Sequence, residues 1–245
     1  EWSQRGRGFL FLTLGSATAL AINNHELSVF ENGIGAINLP INGTQIGTYN
    51  SRAVNPITLA RMATFIRVLT GEDFTIQNPF LFQTKGEMCS HEALVNLASL
   101  VSETFSCDGF PIRAQGSPQC GTCSSCVLRR ISLLQANLIQ HDRGYLVDVF
   151  DPAKTLSRDQ QYVLRAMYWQ ARGIAQCLGS IDAWQAIARA FPTLAKIEDA
   201  LATNGDQDRQ LVQSSLLRLY QQYVNEWNEF QARCSLFLSF DERAA

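Results

Sequence analysis

Apolar residues recur at helical spacing along most of this chain, and the pattern shortens to that of a strand in only two places. Gln4 to Ile22 is almost continuously apolar, which predicts a helix packed against a sheet and ended by Asn23-Asn24. Glu26 to Phe30 predicts a short buried strand, running into the polar, glycine-containing loop Glu31-Asn32-Gly33-Ile34-Gly35. Ala36 to Ser51 reads as irregular. Asn55-Pro56 opens a second helix, with Asn as N-cap and Pro at the first helical position. Leu59, Met62, Ala63, Ile66 and Leu69 mark its buried face, and Gly71 its end. Phe74 to Gln77 is the second strand. Thr84-Lys85-Gly86-Glu87 has the capping-box pattern and opens a helix to about Ser99.

This helix–strand–helix–strand–helix order predicts an α/β layer with a parallel sheet. Two strands do not make a stable sheet alone, so further strands are expected to precede Glu1. Beyond Cys126 the texture changes. Val127 to Ile139 continues as helix, Gly144 and Asp151-Pro152 mark a break, and everything from Ser157 reads as helical. Val163, Leu164, Met167, Tyr168, Ala171, Ile174, Ala175 and Leu178 line one helix; Ser180–Phe191 and Pro192–Ala202 give two more. Asp208–Arg233 is a long fourth, with an apolar face of Leu211, Val212, Leu216, Leu219, Tyr220, Tyr223, Val224, Trp227 and Phe230. The expected organisation is an α/β part over 1–140, incomplete at its N-terminus, and an all-α appendage over 150–245.

Between the two textures lies a stretch that neither period explains. Cys107 to Cys126 carries four cysteines spaced C-x12-C-x2-C-x2-C, with Gly109, Pro111, Gly116 and Pro118 in the long interval. Such a loop has little apolar surface to bury, whereas a tetrahedral metal held by four thiolates would fix it. The neighbours Gly121, Thr122, Ser124 and Ser125 are small and polar, which argues against four fortuitous core cysteines. Cys107, Cys120, Cys123 and Cys126 are therefore the metal candidates, with zinc in a structural role because four sulfurs leave no open position. Cys89 reads as core or pocket-facing, and Cys177 and Cys234 as core.

Composition narrows the rest. At 245 residues with 46% hydrophobic residues, the chain can bury a core. The net charge is −2 and neither half is basic, which removes the electrostatic case for gripping long nucleic acid. An odd seven cysteines, four of them clustered, suits a reducing cytoplasm better than a disulfide framework. Arg5 and Arg7 ahead of Gly8 to Ala21 look like a signal peptide, but a buried helix accounts for the same run, which is too short for a membrane span.

Candidate chemistry is sparse. Lys85 sits in the first turn of a helix, where backbone N–H groups already attract anions, so it could meet a phosphate or carboxylate or simply be solvated. Glu31, Asn32 and Gly33 lie where a strand empties into a loop, the usual ligand position of an α/β sheet. Glu87 has its capping role. His91-Glu92 fails as a zinc-protease motif because Val95 stands at the second histidine position. There is no G-x-x-x-x-G-K-[ST], no G-x-G-x-x-G opening a helix, and no recognisable Ser/His/Asp set; catalytic residues are not assigned.

Three runs together resemble a known family. Glu103-Thr-Phe-Ser-Cys107 with Cys120-Gly-Thr-Cys-Ser-Ser-Cys-Val-Leu-Arg129 is similar to the C-terminal zinc motif of the QueC family, the 7-cyano-7-deazaguanine synthases. Thr84-Lys85-Gly86-Glu87-Met88 resembles that family's Lys-x-Glu segment, and Arg5-Gly-Arg-Gly-Phe-Leu-Phe-Leu its arginine-led helix. Glu31-Asn32-Gly33 departs from the queuosine enzymes and looks more like the QueC-like QatC proteins of the Qat antiphage system. The resemblance spans roughly Gln4 to Arg130 and implies an adenine-nucleotide α-hydrolase (PP-loop, Rossmann-like) fold. It implies Mg-ATP-dependent adenylation of 7-carboxy-7-deazaguanine and transfer to ammonia, or in defence-type relatives to another amine. Lys85 would face phosphate or carboxylate, and Glu31, Asn32 and Gly33 the deazapurine. Protein partners from a defence operon, a homodimer and a cytoplasmic, membrane-free setting enter as further expectations.

The family's S-G-G-x-D-S pyrophosphate loop is absent from these residues. Its place is expected upstream of Glu1, so this chain is expected to be inactive alone. The competing class is a non-catalytic, zinc-stabilised binding module.

Overall fold

A computed structural model describes residues 6–41, 53–92, 96–109, 118–151, 156–204 and 208–234. The chain divides into two compact units: Glu1–Gln83 with Cys177–Tyr220, and Thr84–Gln176 with Gln221–Ala245. Helices late in the chain contribute to both units.

The first unit begins with α1, Arg7–Ala21, and β1, Glu26–Ser28, followed by a short α2, Gly33–Ile37. Next come α3, Pro56–Thr70, and β2, Thr75–Gln77. β1 and β2 pair in parallel with Glu26, Leu27 and Ser28 opposite Thr75, Ile76 and Gln77, so α3 lies in the crossover between them. Leu12, Ala19, Leu59, Met62, Ile66 and Phe74 form the core of this layer.

Local chemistry explains the borders of α3. The Asn55 side chain accepts a hydrogen bond from the Ile57 N–H at 3.1 Å, and Gly71 closes the helix at a φ of +76°. Two expectations change. β1 is not buried: Glu26 is exposed and Leu27 and Ser28 are half-buried. α1 buries Leu12, Ser16 and Ala19, but Phe9, Leu10, Phe11 and Leu14 are exposed. Among the described residues the sheet has only these two strands, too narrow to cover an apolar helix on every side.

Ile37 is fully buried at the end of α2, a helix that the irregular texture of Ala36–Ser51 does not suggest; residues 42–52 lie outside the described residues. Two further helices complete this unit: α7, Ala183–Ala190, and α8, Thr193–Asn204, which packs on α3. The second unit holds the helices α4, Lys85–Cys89, α5, Ser124–Gln135, and most of α6, Arg158–Leu178. The last helix, α9, Arg209–Arg233, gives its first turns to the first unit and its remainder to the second.

α4 stops at Cys89 instead of continuing to Ser99. The Ser90 N–H still donates to the Gly86 carbonyl at 2.9 Å, but the His91 N–H closes onto the Met88 carbonyl at 3.2 Å, a tighter last turn that ends the ladder. Glu92 is helical again, its carbonyl accepting the Asn96 N–H at 3.2 Å, and a 3-10 turn follows over Ala98–Glu103; residues 93–95 are outside the described set. α5 likewise ends before Ile139. Asn137 takes a left-handed φ of +55°, and the N–H groups of Asn137 and Leu138 return to the carbonyls of Leu134 and Leu133, at 3.1 and 2.8 Å. In the second unit α6 buries Leu164, Met167, Tyr168, Ala171 and Ile174. α9 contributes the Trp227 ring, which meets Tyr223 and Phe230 edge-on. Cys234 is core as expected, its thiol donating to the Val149 carbonyl at 2.9 Å, whereas Cys177 is only half-buried.

Candidate metal centre and the Lys85 cavity

The thiols of Cys107, Cys120, Cys123 and Cys126 lie within 4.8 Å of one another. Four sulfurs around zinc at about 2.3 Å would be separated by about 3.8 Å. Cys120 and Cys126 are 3.8 Å apart, sulfur to sulfur.

Three local features bring the sulfurs together. Gly121 has a φ of +85°, and a Cβ there would come 2.0 Å from the Val147 carbonyl oxygen, so only glycine fits the turn between Cys120 and Cys123. The turn is pinned from below, where Leu146 and Val147 donate to the carbonyls of Gln119 and Cys120 at 2.8 and 3.2 Å. Cys123 is the N-cap of α5, its sulfur accepting the Cys126 N–H at 3.4 Å. Next to Cys107, the Asp108 carboxylate accepts hydrogen bonds from the hydroxyls of Ser124 and Ser125.

The electrostatics of the cluster are those of thiols that need a cation. Hydrogen bonds from Cys123 and Cys126 push the Cys120 thiol far down. The same bond to Cys120 pushes Cys123 up to about 12, and bonds to Cys120 and Cys123 together with burial push Cys126 up. The Cys120 thiolate is thus held by its neighbours' protons, and Cys123 and Cys126 ionise beside it only around a positive ion. Backbone N–H groups of Asp108, Cys123 and Cys126 already point at sulfur, at 3.5, 3.3 and 3.4 Å, as they do around thiolate metal sites. The residues present fit a metal ion such as zinc, and four sulfur ligands would close its coordination.

Behind the sulfurs, α5 is buried on nearly every side, and two charged residues that the sequence reading passed over are buried with it. Arg129 is 4% exposed. Its Nε and Nη2 donate to one oxygen of Asp142 at 3.0 and 2.8 Å. The same guanidinium donates to the Thr104 hydroxyl and the Val101 carbonyl, both at 2.7 Å, and so ties down the segment leading into Cys107. Arg130 lies over the Tyr145 and Phe150 rings, at 4.2 and 4.7 Å from their centroids, and pairs with Asp148 at 2.6 Å. The signal for this is the adjacent pair Arg129-Arg130, the only charged residues in a helix otherwise made of apolar and small residues up to its last position, Gln135.

Lys85 opens α4 through the expected capping box. The Glu87 N–H donates to the Thr84 hydroxyl at 3.1 Å, and the Thr84 N–H to the Glu87 carboxylate at 2.8 Å. Glu87 is therefore a cap. The Thr84 hydroxyl in turn donates to Glu226 of α9. Glu226 is 3% exposed, and burial pushes its carboxyl up to about 7 although Thr84 and Gln222 donate to it; Glu87 and Glu229 add repulsion. A Cβ at Gly86 would fall 2.6 Å from Glu226 Oε1, so glycine here permits the close contact between α4 and the carboxylate. Lys85 and Cys89 line a cavity of about 430 Å³ walled by α4, the Ala98–Glu103 turn and α5. Burial raises the Cys89 thiol, which keeps it protonated and makes it a poor nucleophile.

Glu31, Asn32 and Gly33 belong to the first unit and are locally engaged. Asn32 is buried and caps α2, its side-chain oxygen accepting the Gly35 N–H at 2.9 Å. Glu31 accepts the Asn32 N–H at 2.9 Å and also the Asn32 side-chain amide. The Gly33 N–H donates to the Gln83 carbonyl at 2.8 Å, and a Cβ there would meet the Leu81 carbonyl at 2.0 Å. The Asn78 amide donates to the Glu31 carbonyl at 2.7 Å, which fastens this strand end to the one after β2. The candidate residues therefore fall into two groups: Glu31–Gly33 in one unit, Lys85 and the four thiols in the other.

The family model of the queuosine biosynthesis protein QueC matches residues 6–137, more than half of the 245 residues. The matched span holds both groups of candidate residues and stops before α6. No curated protein and no solved structure matches the chain.

Proposed function

The chain belongs to the QueC family, and on that premise we propose that it acts in the ATP-dependent conversion of a 7-carboxy-7-deazaguanine. The carboxylate would displace pyrophosphate from Mg-ATP to give an acyl-adenylate, and ammonia or another amine would displace AMP to leave an amide. Adenylation replaces a poor leaving oxygen with a good one, and the protein's contribution is to position the groups and stabilise the developing charge. The observation that carries this reading is the family match over residues 6–137. Lys85, which lines its cavity, is the cation proposed for a carboxylate or phosphate, and Glu31, Asn32 and Gly33 are the residues proposed for the deazapurine. The four thiols are assigned zinc in a structural role. The appendage and the Glu31-Asn32-Gly33 loop favour the QatC-like, antiphage branch, with a cytoplasmic setting; among the described residues no helix is long and apolar enough to cross a membrane.

A second reading, in which the chain is a zinc-stabilised binding module, rests on the four clustered thiols. Titration calorimetry with 7-carboxy-7-deazaguanine separates the two. The ligase reading expects saturable binding that Lys85→Ala weakens at least ten-fold, with no ATP–pyrophosphate exchange by the chain alone. Absence of any binding to the metal-loaded protein would leave the binding-module reading standing, and measurable exchange would overturn the expected inactivity.

A further inference from the structure

The cavity behind Lys85 is built differently from a nucleobase pocket. Its wall is made by Cys89, Leu97, Leu100, Val101, Leu133 and Leu138. Polar groups also reach it, but their hydrogen bonds are directed into the protein. The Ser132 hydroxyl donates to the Leu128 carbonyl at 2.7 Å. Thr104 donates to the Val101 carbonyl at 2.8 Å while accepting from Arg129 at 2.7 Å. Ser106 accepts from Arg129 at 3.4 Å, and Arg129 itself is neutralised by Asp142.

Lys85 is the exception. It is half-buried, and among the described residues no carboxylate lies within ion-pair distance of its ammonium. A guanine-like ring presents donors and acceptors on several edges, and most of them would lose water here without a replacement. An apolar body would not.

We infer that this cavity is a binding site for a small anionic amphiphile, a compact aliphatic or aryl group ended by one carboxylate or phosphate that pairs with Lys85. At about 430 Å³ the cavity lies in the usual range for small-molecule sites, roughly 300–1,000 Å³, and it has the composition typical of them, apolar walls with one orienting polar group. The charge fixes the direction of entry, with the anion at the mouth against Lys85 and the apolar body between Leu100, Leu133 and Leu138. The half-buried thiol of Cys89 lies in the wall and reports on occupancy. The site does not require the deazaguanine reading, although both use Lys85.

The test is binding of octanoate, octyl phosphate, octanol and octylamine to the metal-loaded 245-residue protein by calorimetry, with iodoacetamide labelling of Cys89 read by peptide mass. Octanoate or octyl phosphate, or both, should bind at least ten-fold more tightly than octanol, and octylamine more weakly still. The relative affinity of the two anions identifies which head group the site prefers. Lys85→Met should bring the anions down to the level of octanol, and Leu133→Trp should abolish binding of all four. Cobalt absorption by the thiol cluster serves as the folding control for both variants. The bound anion should slow Cys89 labelling several-fold. Equal binding of octanol and octanoate, indifference to Lys85→Met, or no binding of any amphiphile would overturn the proposal. Amphiphile binding without 7-carboxy-7-deazaguanine binding would support this site while defeating the deazaguanine reading; the reverse result would do the opposite.

Discussion

The two faces of α5 solve opposite problems. Toward its N-terminus, the thiols and the buried guanidinium of Arg129 gather polar groups into a closed set with its partners nearby. Toward Lys85, the same helix presents Leu133 to an open apolar cavity in which Arg129 is already paired with Asp142, while Lys85 has no carboxylate within ion-pair distance among the described residues. A closed polar set rigidifies but has nothing left to offer a ligand. An apolar cavity with one cation left outside any ion pair contributes little to rigidity and can receive one. Structural and binding roles are thus separated along about three helical turns, and perturbations should affect the two faces very differently.

The largest effect is expected from the thiols. Replacing Cys126 with Ser, or stripping metal with a strong chelator, should unfold the segment around Cys107–Cys126. Structural zinc contributes on the order of 10–16 kcal/mol of apparent binding free energy in small zinc domains. Hydrogen exchange should show the amides of Asp108, Cys123 and Cys126, which donate to sulfur, losing protection together. Unchanged protection after metal removal would break the assignment.

Next comes the buried pair. Arg129→Met leaves Asp142, 4% exposed at its side chain, without its cation, and breaking such a pair costs about 3–5 kcal/mol. Denaturant unfolding should register that loss, and pairing the change with Asp142→Leu should recover much of it. Failure of the double variant to recover would mean that the bonds to Thr104 and Val101 matter more than the charge.

Glu226 carries a pH signature. Its carboxyl is near 7 in the folded protein against an ordinary 4.5, so between these values the folded state holds a proton that the unfolded state has released. Stability therefore falls as pH rises from about 4.5 to 7 and levels off above, by about 3 kcal/mol at most. Glu226→Gln keeps an acceptor for Thr84 and removes the titration, so the variant should lose this part of the pH dependence. Parallel unfolding curves at pH 5 and pH 8 for both proteins check it.

How much of this was legible in the residues follows from the range of each interaction. The N-cap Asn55, the C-cap Gly71 and the Thr84–Glu87 capping box operate within one or two turns, and sequence spacing is enough to find them. The thiol cluster also announces itself, because metal geometry demands particular spacings. Glu226 could not be found this way: it meets Thr84 across 142 positions, from a helix whose apolar pattern says only that it is buried. The pairs Arg129–Asp142 and Arg130–Asp148 depend on the chain after α5 folding back on it. α4 and α5 are shorter than their apolar period suggests, because that period does not register the His91 N–H closing onto the Met88 carbonyl, or an asparagine entering the left-handed region.

The smallest stability change is expected at Lys85, and that smallness distinguishes the two faces of α5. A half-buried lysine without an ion-pair partner among the described residues gives the fold little, and Lys85→Met keeps most of its aliphatic packing, so stability should move by less than about 1 kcal/mol. If the cavity is a binding site, the same substitution should weaken an anionic ligand at least ten-fold, a loss of about 1.4 kcal/mol or more in binding. Arg129→Met should behave in the opposite sense, with a large stability loss and, in the fraction that remains folded, an anion affinity that changes less than it does in Lys85→Met. A Lys85→Met protein as unstable as Arg129→Met would show that the lysine belongs to the closed polar set after all, and the separation of roles along α5 would fail.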